Sequence, residues 1–502
     1  MSKIHINPYS LSKILKKKRD KKIVLVHGVF DLVHLGHIQY FNEAKKHGDI
    51  LVVSLTADKF VKKGINKPHY NQYQRSKVLS SLSVVDYVTY SDDFHASKVI
   101  QILKPKYYVK GPDYAKKEGD IAGNLKRELS ILKKNKGKFL TTSGEQFSSS
   151  KLINDFLIND DFPQSNLMKK FKHNISKLKF INDYKKTLKE VKNKKILIIG
   201  EVIFDQYNYV SPLGQPSKEN ILAVSSKKKE IYYGGVLPVI KNISQICNKI
   251  DLVTLYNNKK IKSQIKNFLG KKIKANLFCN KNYIDIYKSR YLNINTFSKI
   301  FEVYNFQNDD IKNPLIENFL LKNIKKYDHV IVCDFGHGLI NKKLAEIISK
   351  KSNSLAINVQ TNAGNRGFNL FTKYRKSNFL CLDEPEFRLG FQDKMTDLKE
   401  LINRSSKKYK DIMITRGVHG LILKKNKKPI VELAALSRGG VDTMGAGDSA
   451  YSYASVFSKY CKNYKLVSLV AAIAGALKIK IVGHSNFIDI DDIYKSIIYL
   501  TK

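Results

Sequence analysis

Two histidines near the N-terminus have the spacing needed to act together on a phosphate group. His34 and His37 follow an apolar run and stand three residues apart, so both imidazoles are predicted to lie on one face at the start of a helix. A helix N-terminus already favours an anion through its free N–H groups and its dipole. Two imidazole N–H donors there can stabilise the charge that develops on the α-phosphate of a nucleoside triphosphate. The alternative is a pair of structural histidines, which the pair alone would favour. With the preceding strand, Gly28, Phe30 and Asp31 in place, we favour nucleotidyl transfer, with both histidines catalytic.

A second phosphate-handling pattern lies near the C-terminus, where residues 442–449 read DTMGAGDS. Glycines at two positions remove Cβ atoms, so successive N–H groups can face one anion, the transferred γ-phosphate. Asp448 stands at the predicted start of a helix, where it can accept a proton from an acceptor hydroxyl, and phosphoryl transfer needs mainly such positioning and charge stabilisation. The alternative is a glycine-rich helix entry with a capping aspartate. We predict a kinase site with Asp448 as the base and an anion hole formed by Asp442, Gly445, Ala446 and Gly447.

Apolar runs that alternate with helical stretches predict the elements that position these residues. Strands are expected at 21–26, 49–54, 87–90 and 107–110, with a helix at 72–82, and again at 195–199, 330–333, 356–359, 379–382 and 412–415. Such alternation indicates parallel sheets with ligand sites at the carboxyl ends of the strands. Residues 217–232 and 284–304 are expected to form β-hairpins outside the main sheet.

Chain length and composition predict more than one domain. The chain has 502 residues, which exceeds a single core. Residues 156–193 lack strand-like runs and are rich in Lys, Asn and Asp, which is typical of a helical, solvated linker. We therefore expect an α/β protein with a nucleotidyltransferase domain at 20–155, a helical linker at 156–193 and a kinase domain at 194–502.

The net charge of +45, from 89 basic and 44 acidic residues, raises the question of a polyanionic partner. Lysines are scattered throughout, and a nucleic-acid module would need its own signature, so neither nucleic acid nor a membrane is expected as a partner. Five cysteines without a C-x-x-C pair fit a reducing compartment. The first residues lack an apolar signal core, and the apolar run at 467–477 is too short to span a bilayer. A cytoplasmic location is expected.

The N-terminal motifs resemble the nucleotidyltransferase superfamily that includes glycerol-3-phosphate, ethanolamine-phosphate and heptose-phosphate enzymes. The series runs from Gly28-x-Phe30-Asp31 and His34-x-Gly36-His37 to Lys63-Gly64, a helix with Arg75, the loop at 110–114 (KGPDY) and the serines at 148–150. The resemblance implies a Rossmann-like fold and in-line attack on Mg-NTP. It implies nucleotide contacts by Gly28, Phe30, Asp31, Gly36, Lys110, Asp113, Ser148, Ser149 and Ser150, and substrate-phosphate contacts by Lys63 and Arg75.

Residues 194–490 resemble the ribokinase-like sugar kinases, which carry a small β lid. The matching motifs are Gly200-Glu201-x-x-x-Asp205, Gly234-Gly235, the K-x-R pair, 334–338 (DFGHG), Asp383-x-x-Glu386, the turn at 415–420 and the G-A-G segment. The resemblance implies sugar contacts by Asp205, Gly234, Gly235, Asn242, Lys288 and Arg290, nucleotide contacts by Thr415, Gly417 and Gly420, and Mg²⁺ held through water by Asp383 and Glu386. It also implies a homodimer formed through the lid.

Two segments depart from the sugar-kinase pattern. Val236-Leu237-Pro238 stands where many relatives have Ala-Ala-Asn, and residues 358–365 (NVQTNAGN) replace the usual V-D-P-K. These departures leave the identity of the sugar open.

The pairing of the two halves resembles the bifunctional heptose enzymes, with the domain order reversed. It implies ATP-dependent phosphorylation of a sugar phosphate, such as heptose 7-phosphate at C1, followed by nucleotidyl transfer from ATP or CTP. The alternatives are a cytidylyltransferase for a polyol phosphate joined to a kinase of other specificity, and a kinase-like domain that only senses a sugar.

Overall fold

The computed structural model describes residues 3–18, 20–61, 68–93, 95–114, 125–143, 167–168, 170–171, 175–306, 311–437, 440 and 442–501. The chain forms two compact units, Met1–Asp160 and Asp161–Thr501. Each unit is built on its own α/β sheet, as the two series of apolar runs predict.

In the described part of the N-terminal unit, six strands form one parallel sheet in the order β1-β4-β3-β2-β5-β6. The four predicted strands are present, and two short edge strands are added. The strands are β1 Ile4–His5, β2 Ile23–Gly28, β3 Ile50–Thr56, β4 Tyr87–Ser91, β5 Tyr107–Lys110 and β6 Lys138–Thr141. The helices are α1 Pro8–Lys16, α2 Leu35–Lys45, α3 Gln72–Ser81, α4 Ser97–Leu103 and α5 Leu125–Lys134.

Helices cover both faces of this sheet. Val24 and Val26 of β2 pack with Phe41 of α2, whereas Leu25 points to the other face and packs with Val99 of α4. Because successive strand residues alternate between faces, burial on both sides requires an unbroken apolar run. This is why the central strands could be recognised from the sequence.

The main sheet of the C-terminal unit has the order β11-β10-β7-β14-β15-β16-β17-β18-β19. It is parallel from β11 to β17, and β18 and β19 add an antiparallel edge. Its strands are β7 Lys195–Gly200, β10 Lys249–Tyr256, β11 Lys274–Cys279, β14 His329–Asp334, β15 Leu355–Val359, β16 Ser377–Asp383, β17 Tyr409–Thr415, β18 Leu421–Lys424 and β19 Val431–Leu433.

A separate four-stranded sheet, which we call the lid, has the order β13-β12-β8-β9. Its strands are β8 Val202–Gly214, β9 Ala223–Gly235, β12 Ile286–Asn293 and β13 Lys299–Asn305. The hairpin predicted at 284–304 is confirmed. The hairpin predicted at 217–232 is misplaced, because β9 pairs with the preceding strand β8 in the register Val202↔Gly235, so the turn lies near residues 215–222.

Helices complete the C-terminal unit on both sides of its main sheet. They are α6 Lys177–Val191, α7 Val236–Ser244, α8 Lys259–Leu269, α9 Pro314–Asn323, α10 Lys342–Lys351, α11 Glu384–Phe391, α12 Leu398–Ser405, α13 Ala446–Tyr460, α14 Tyr464–Lys478 and α15 Ile490–Leu500. Most of the apolar run at 467–477 is buried within α14, as a packed helix requires. Among the described residues, no helix is both long and apolar enough to cross a membrane.

Helix α6 lies in the segment expected to be a solvated linker, yet one of its faces is buried in the C-terminal unit. Phe180, Tyr184 and Val191 recur at helical spacing and are at most 3% exposed. The Tyr184 ring stacks on Phe457 of α13 and on Tyr494 of α15, with centroids 5.6 and 5.9 Å away. Lysines on its other face made this amphipathic helix look solvated.

We predict that Phe180→Ala lowers the free energy of unfolding of the C-terminal unit by about 3–5 kcal/mol, the usual cost of emptying a buried Phe site. Leu178→Ala on the same helix should change it by less than about 0.5 kcal/mol, because Leu178 is 68% exposed. Denaturant unfolding followed by circular dichroism measures both. Equal effects of the two substitutions would contradict the packing of α6.

Candidate active sites

His34 is the N-cap residue of α2. Its Nδ1 accepts a hydrogen bond from the backbone N–H of Gly36 at 3.1 Å, so in the neutral ring Nε2 carries the proton. Burial lowers the pKa of His34, which keeps the ring neutral near pH 7. The ring centroids of His34 and His37 are 4.0 Å apart. The spacing of the two histidines therefore brings both imidazoles together at the helix N-terminus, as predicted.

Phe30 packs against His37, and Gly28 lies beside the Phe30 ring. The rings of Phe30 and His37 are in an edge-to-face arrangement with centroids 5.3 Å apart, and the Phe30 backbone adopts a left-handed conformation with φ 47°. A Cβ added at Gly28 would lie 2.9 Å from Cζ of Phe30. The glycine is needed because the phenylalanine ring occupies the space beside it.

Asp31 and Arg75, both predicted to contact ligands, hold the protein chain in this structure. Oδ1 of Asp31 accepts from the backbone N–H groups of His69 and Tyr70 at 2.7 and 3.0 Å. The buried guanidinium of Arg75 donates to the backbone oxygens of residues 29, 56 and 70 and pairs with Asp58 at 2.5 Å. These bonds use four of the five N–H donors of the guanidinium, and Arg75 is 1% exposed, so in this structure its main contacts are to the protein itself.

Lys110 ends β5 at the same sheet edge as His34. Its buried Nζ lies 3.5 Å from the backbone oxygen of His27 and over the rings of Tyr108 and Tyr114. The backbone continues into the 3₁₀ turn Pro112–Tyr114. Lys63, Ser148, Ser149 and Ser150, and the side chain of Asp113, lie outside the described residues.

Sequence reasoning missed a cavity beside Arg75. It has a volume of about 500 Å³ and opens where β3 and β4 end. Its polar walls include Asp58, Asn71, Gln72 and Asp92, which can hydrogen-bond hydroxyl groups. These residues carry no motif of their own, so their grouping is visible only in the fold.

Asp448 lies in the first turn of α13, where it is partly exposed. Its Oδ1 accepts from Nε2 of Gln360 at 2.5 Å. Burial raises the pKa of Asp448 to about 6, and Asp205 adds to the rise, whereas Gln360, Lys288 and Lys478 oppose it. A carboxylate with a pKa near the working pH suits a general base.

Asp442 shapes the loop before α13. Its carboxylate accepts from the backbone N–H groups of Met444 and Gly483, at 3.0 and 2.8 Å, and from the hydroxyl of Tyr207 in the lid at 2.8 Å. Gly445 has φ 74°, and a Cβ there would lie 2.6 Å from Cε1 of His484. The structure thus places Asp442 as an anchor of the loop that carries Gly445, Ala446 and Gly447.

Three predicted sugar-binding residues share one face of the lid. Arg290 is 2% exposed and pairs with Asp205 and, at 3.1 Å, with Glu302. Lys288 stands directly beside Asp205 in the pairing of β12 with β8, and burial lowers the pKa of Lys288. A side chain at Gly234 would collide with Oδ2 of Asp205.

Two other predicted sugar contacts lie at the two ends of α7. Gly235 has φ 63° and is the N-cap residue of α7. Asn242 is 2% exposed on that helix, and its Nδ2 donates to Oγ of Ser452 in α13 at 3.3 Å. The structure therefore places Asn242 between two helices, a position the motif alone did not indicate.

Glu201 and Asp334 anchor the loop after β14. The fully buried carboxylate of Glu201 accepts from the N–H groups of Phe335 and His337 at 3.0 and 3.2 Å. Burial, together with Asp334, raises the pKa of Glu201 to about 7. Asp334 accepts from the Tyr374 hydroxyl and pairs with Lys373, both at 2.7 Å.

Asp383 and Glu386 form a capping box at the start of α11. The carboxylate of each accepts from the backbone N–H of the other, at 2.7 and 3.0 Å, and Glu386 also accepts from Thr361 N–H at 2.9 Å. Burial and the neighbouring Asp383 raise the pKa of Glu386. Among the residues that the structure describes, no group of three or more His, Cys, Asp or Glu side chains could hold a metal directly.

The predicted nucleotide turn begins where β17 ends. Thr415 Oγ1 donates to the backbone oxygen of Leu382 at 3.4 Å, which ties the ends of β16 and β17 together. Gly417 and Gly420 both have positive φ, 53° and 85°, as a tight turn requires. These residues lie at the same sheet edge as Asp383.

Comparison with known proteins finds a family match within the N-terminal unit. Residues 25–155 match the family described as Cytidylyltransferase-like. The chain is 38% identical over 138 residues to the "Bifunctional protein HldE" of Aliarcobacter butzleri, which is 27% of this chain and 29% of that relative. It is 38% identical over 139 residues to the protein of the same name from Helicobacter pylori strain 26695, or 27% of this chain and 30% of the relative.

Solved structures similar to this chain include a ribokinase and a phosphofructokinase. A ribokinase from Thermotoga maritima is 16% identical, with a TM-score of 0.48, and covers 61% of this chain and 99% of its own. Phosphofructokinase-2 from Escherichia coli, in complex with substrates and products, is 12% identical with a TM-score of 0.49, covering 61% of this chain and 100% of its own. The predicted fold class, two α/β units of which the second carries a small β lid, is confirmed.

We predict that His34→Ala lowers the free energy of unfolding of the N-terminal unit by about 0.5–2 kcal/mol, because α2 loses its cap. His34→Asn keeps a side-chain acceptor for Gly36 N–H and should stay within about 0.5 kcal/mol of the wild type. Urea unfolding of the full chain measures both. If the two variants lose the same stability, the cap formed by Nδ1 does not stabilise the helix.

Proposed function

We propose that this chain carries two nucleotide-dependent activities, a sugar kinase and a nucleotidyltransferase that together produce a nucleotide-activated sugar. The observation that carries the proposal is the pairing of His34 with His37 at the start of α2 within a cytidylyltransferase-like domain. Supporting it are the relatives named as bifunctional proteins and the second acidic site around Asp448. The chain spans less than a third of those relatives, so the likeness supports the transferase half directly.

In the transferase reaction, a phosphate oxygen of the substrate attacks the α-phosphate of the nucleoside triphosphate, and pyrophosphate leaves. The Nε2–H of His34 and the imidazole of His37 stabilise the charge that builds on the α-phosphate. The dipole of α2, whose positive end lies at these histidines, adds to this stabilisation. Since the attacking oxygen belongs to the substrate, no covalent enzyme intermediate is required.

In the kinase reaction, Asp448 accepts the proton of the acceptor hydroxyl as that oxygen attacks the γ-phosphate of ATP. The backbone N–H groups at the start of α13 face the transferred phosphoryl group, and Gly445 and Gly447 leave them accessible. Lys288 lies close enough to Asp205 and Asp448 for their charges to oppose the lowering of its pKa by burial, and its ammonium can neutralise a phosphate on the sugar.

Both reactions are proposed to use Mg²⁺. Asp383 and Glu386 supply the hard oxygen atoms that Mg²⁺ prefers, and burial beside Asp383 raises the pKa of Glu386, a rise that a cation bound nearby would oppose. With two carboxylates rather than a full ligand set, they fit an ion held through water. Bound there, the cation would neutralise charge on the nucleotide phosphates.

The proposed substrates are a nucleoside triphosphate, ATP or CTP, and a sugar phosphate such as heptose 7-phosphate, phosphorylated at C1. A polyol phosphate is the alternative for the transferase. A sugar sensor is the alternative for the second unit, because Pro238 removes an amide that the sugar-kinase pattern supplies. The intact set of Asp448, Gly445 and Gly447 favours turnover.

We predict that the two activities separate by mutation. His37→Ala should reduce pyrophosphate release from NTP and a supplied sugar 1-phosphate by roughly 10²–10³-fold, while sugar-dependent ADP formation stays unchanged. Asp448→Asn should reduce ADP formation by about 10²–10⁴-fold and leave pyrophosphate release unchanged. Coupled assays for the two products measure both. Loss of both activities in either folded variant would contradict two independent sites.

We also propose a homodimer formed through the lid. Strand alternation puts Asp205 and Lys288 on one lid face, whereas Ile231, Phe301 and Val303 lie on the other and are 50%, 44% and 52% exposed. Gln206 and Ser289 lie between Ile231 and Val303 on this face, so it is mixed, and its exposed apolar side chains can be covered by the same face of a second copy.

Val303→Glu is therefore expected to shift the chain from dimer to monomer in sedimentation velocity experiments, because a charge would be buried at the interface. Leu321→Glu on α9, where Leu321 is 51% exposed, is the control and should remain dimeric. A wild type that is monomeric at micromolar concentration would contradict the proposed dimer.

A further inference from the structure

Residues 358–365, which depart from the V-D-P-K pattern, include Gln360, whose side chain contacts the proposed kinase base Asp448. Gln360 follows β15 directly, and its backbone is held on both sides. Its N–H donates to the backbone oxygen of Asp334 at 2.8 Å, and its carbonyl oxygen accepts from Nδ2 of Asn369 at 3.0 Å. The side chain of Gln360 therefore starts from a fixed point at the carboxyl edge of the sheet.

Three hydrogen bonds link the neighbouring strand to Asp448. Nδ2 of Asn358 donates to the backbone oxygen of Cys381 in β16 at 2.8 Å. Nε2 of Gln360 donates to Oδ1 of Asn358 at 3.0 Å and to Oδ1 of Asp448 at 2.5 Å. Asn358 is 5% exposed, so these bonds form largely away from solvent.

The direction of this chain of bonds follows from its first member. A backbone carbonyl can only accept, so the nitrogen of the Asn358 amide must face Cys381 and its oxygen must face Gln360. Gln360 must then present its nitrogen, whose second hydrogen points at Asp448. Oδ1 of Asp448 is thereby required to accept a hydrogen bond, which it does best when the carboxylate is ionised.

We propose that Asn358 and Gln360 position Asp448 for catalysis by fixing Oδ1 as a hydrogen-bond acceptor, which directs Oδ2 to the acceptor hydroxyl. The inference rests on the proposed kinase function. Gln360 and Asn358 are positioning residues, since they act through Asp448. They stabilise its ionised form without adding a charge of their own, and this opposes the effect of burial and of Asp205.

Two substitutions at position 360 test the proposal. Gln360→Met keeps the length of the side chain but removes the donor. Gln360→Glu keeps its shape but places an acceptor, charged when ionised, against Asp448. Gln245→Leu is the control: the Gln245 amide likewise makes two hydrogen bonds, here to the backbone of Ile488 and Ile490, and has no part in the proposed site.

Sugar-dependent ADP formation is measured from pH 5 to pH 9, together with KM for ATP and the melting temperature. Both position-360 variants should lose roughly 10–10²-fold in kcat, because the base is misplaced. In Gln360→Glu the acidic limb of the kcat profile should also move to higher pH, because a like charge disfavours ionised Asp448. KM for ATP should stay unchanged, and Gln245→Leu should lower only the melting temperature.

The outcomes separate this proposal from the kinase proposal. A wild type that forms ADP, an inactive Asp448→Asn and position-360 variants with wild-type kcat and pH profile would overturn the positioning role alone. A wild type without sugar-dependent ADP formation would overturn the kinase function itself. If Gln360→Met does not fold, kcat of Gln360→Glu at pH 9 decides, because Asp448 is ionised there in both proteins and only a misplaced base would still lower kcat. A kcat equal to that of the wild type at pH 9 would overturn the positioning role.

Discussion

The C-terminal unit depends on burying acidic side chains where its parallel strands end. Glu201, Asp334 and Asp448 all lie at this edge, and an ionised carboxylate is costly there unless it is hydrogen-bonded or paired. Each has its own solution. Glu201 accepts from two backbone N–H groups, and Asp334 has Lys373 and Tyr374. Asp448 accepts from the Gln360 amide, and the charges of Lys288 and Lys478 lower its pKa. Asp448, which is partly exposed, is the one we assign to proton transfer.

This difference in compensation explains how one sheet edge can serve both structure and chemistry. The bonds to Glu201 and Asp334 fix the end of β14 and the loop that follows it, and the backbone N–H of Gln360 donates to the backbone oxygen of Asp334. A rigid loop lets a neutral side chain hold Asp448 in one orientation. Because Asp448 keeps a pKa of about 6, it can be ionised at neutral pH and still accept a proton.

In the N-terminal unit, a histidine side chain satisfies a backbone N–H group at the start of a helix. A helix start needs an acceptor for its first N–H groups, and His34 provides one through Nδ1. The same bond decides which ring nitrogen carries the proton, so capping prepares the other side of the ring for an anion. In both units the proposed chemistry lies where a strand or loop gives way to a helix N-terminus, where the backbone itself favours negative charge.

The sequence predicted correctly those features that depend on residues within one strand, helix or short segment. Strands buried on both faces appear as apolar runs, and His34 with His37 or Gly445 with Asp448 are close in the chain. Partners far apart in sequence could not be predicted, such as Gln360 with Asp448 or Arg290 with Asp205, because only the fold brings them together. The same reason explains why the contacts of Arg75 and the buried face of α6 were missed. The site assignments that rest on motifs remain predictions.

The most direct test of the account follows the transfer of two labels in parallel incubations. In each, the chain is mixed with Mg²⁺ and a panel of sugar phosphates. One incubation contains ATP labelled at the γ-phosphate, and the other contains ATP or CTP labelled at the α-phosphate. We predict that the γ-label appears in a sugar bisphosphate and the α-label in a nucleotide sugar, each only when the sugar is present. Absence of sugar-dependent transfer of both labels across the panel would contradict the proposal of two activities on one chain.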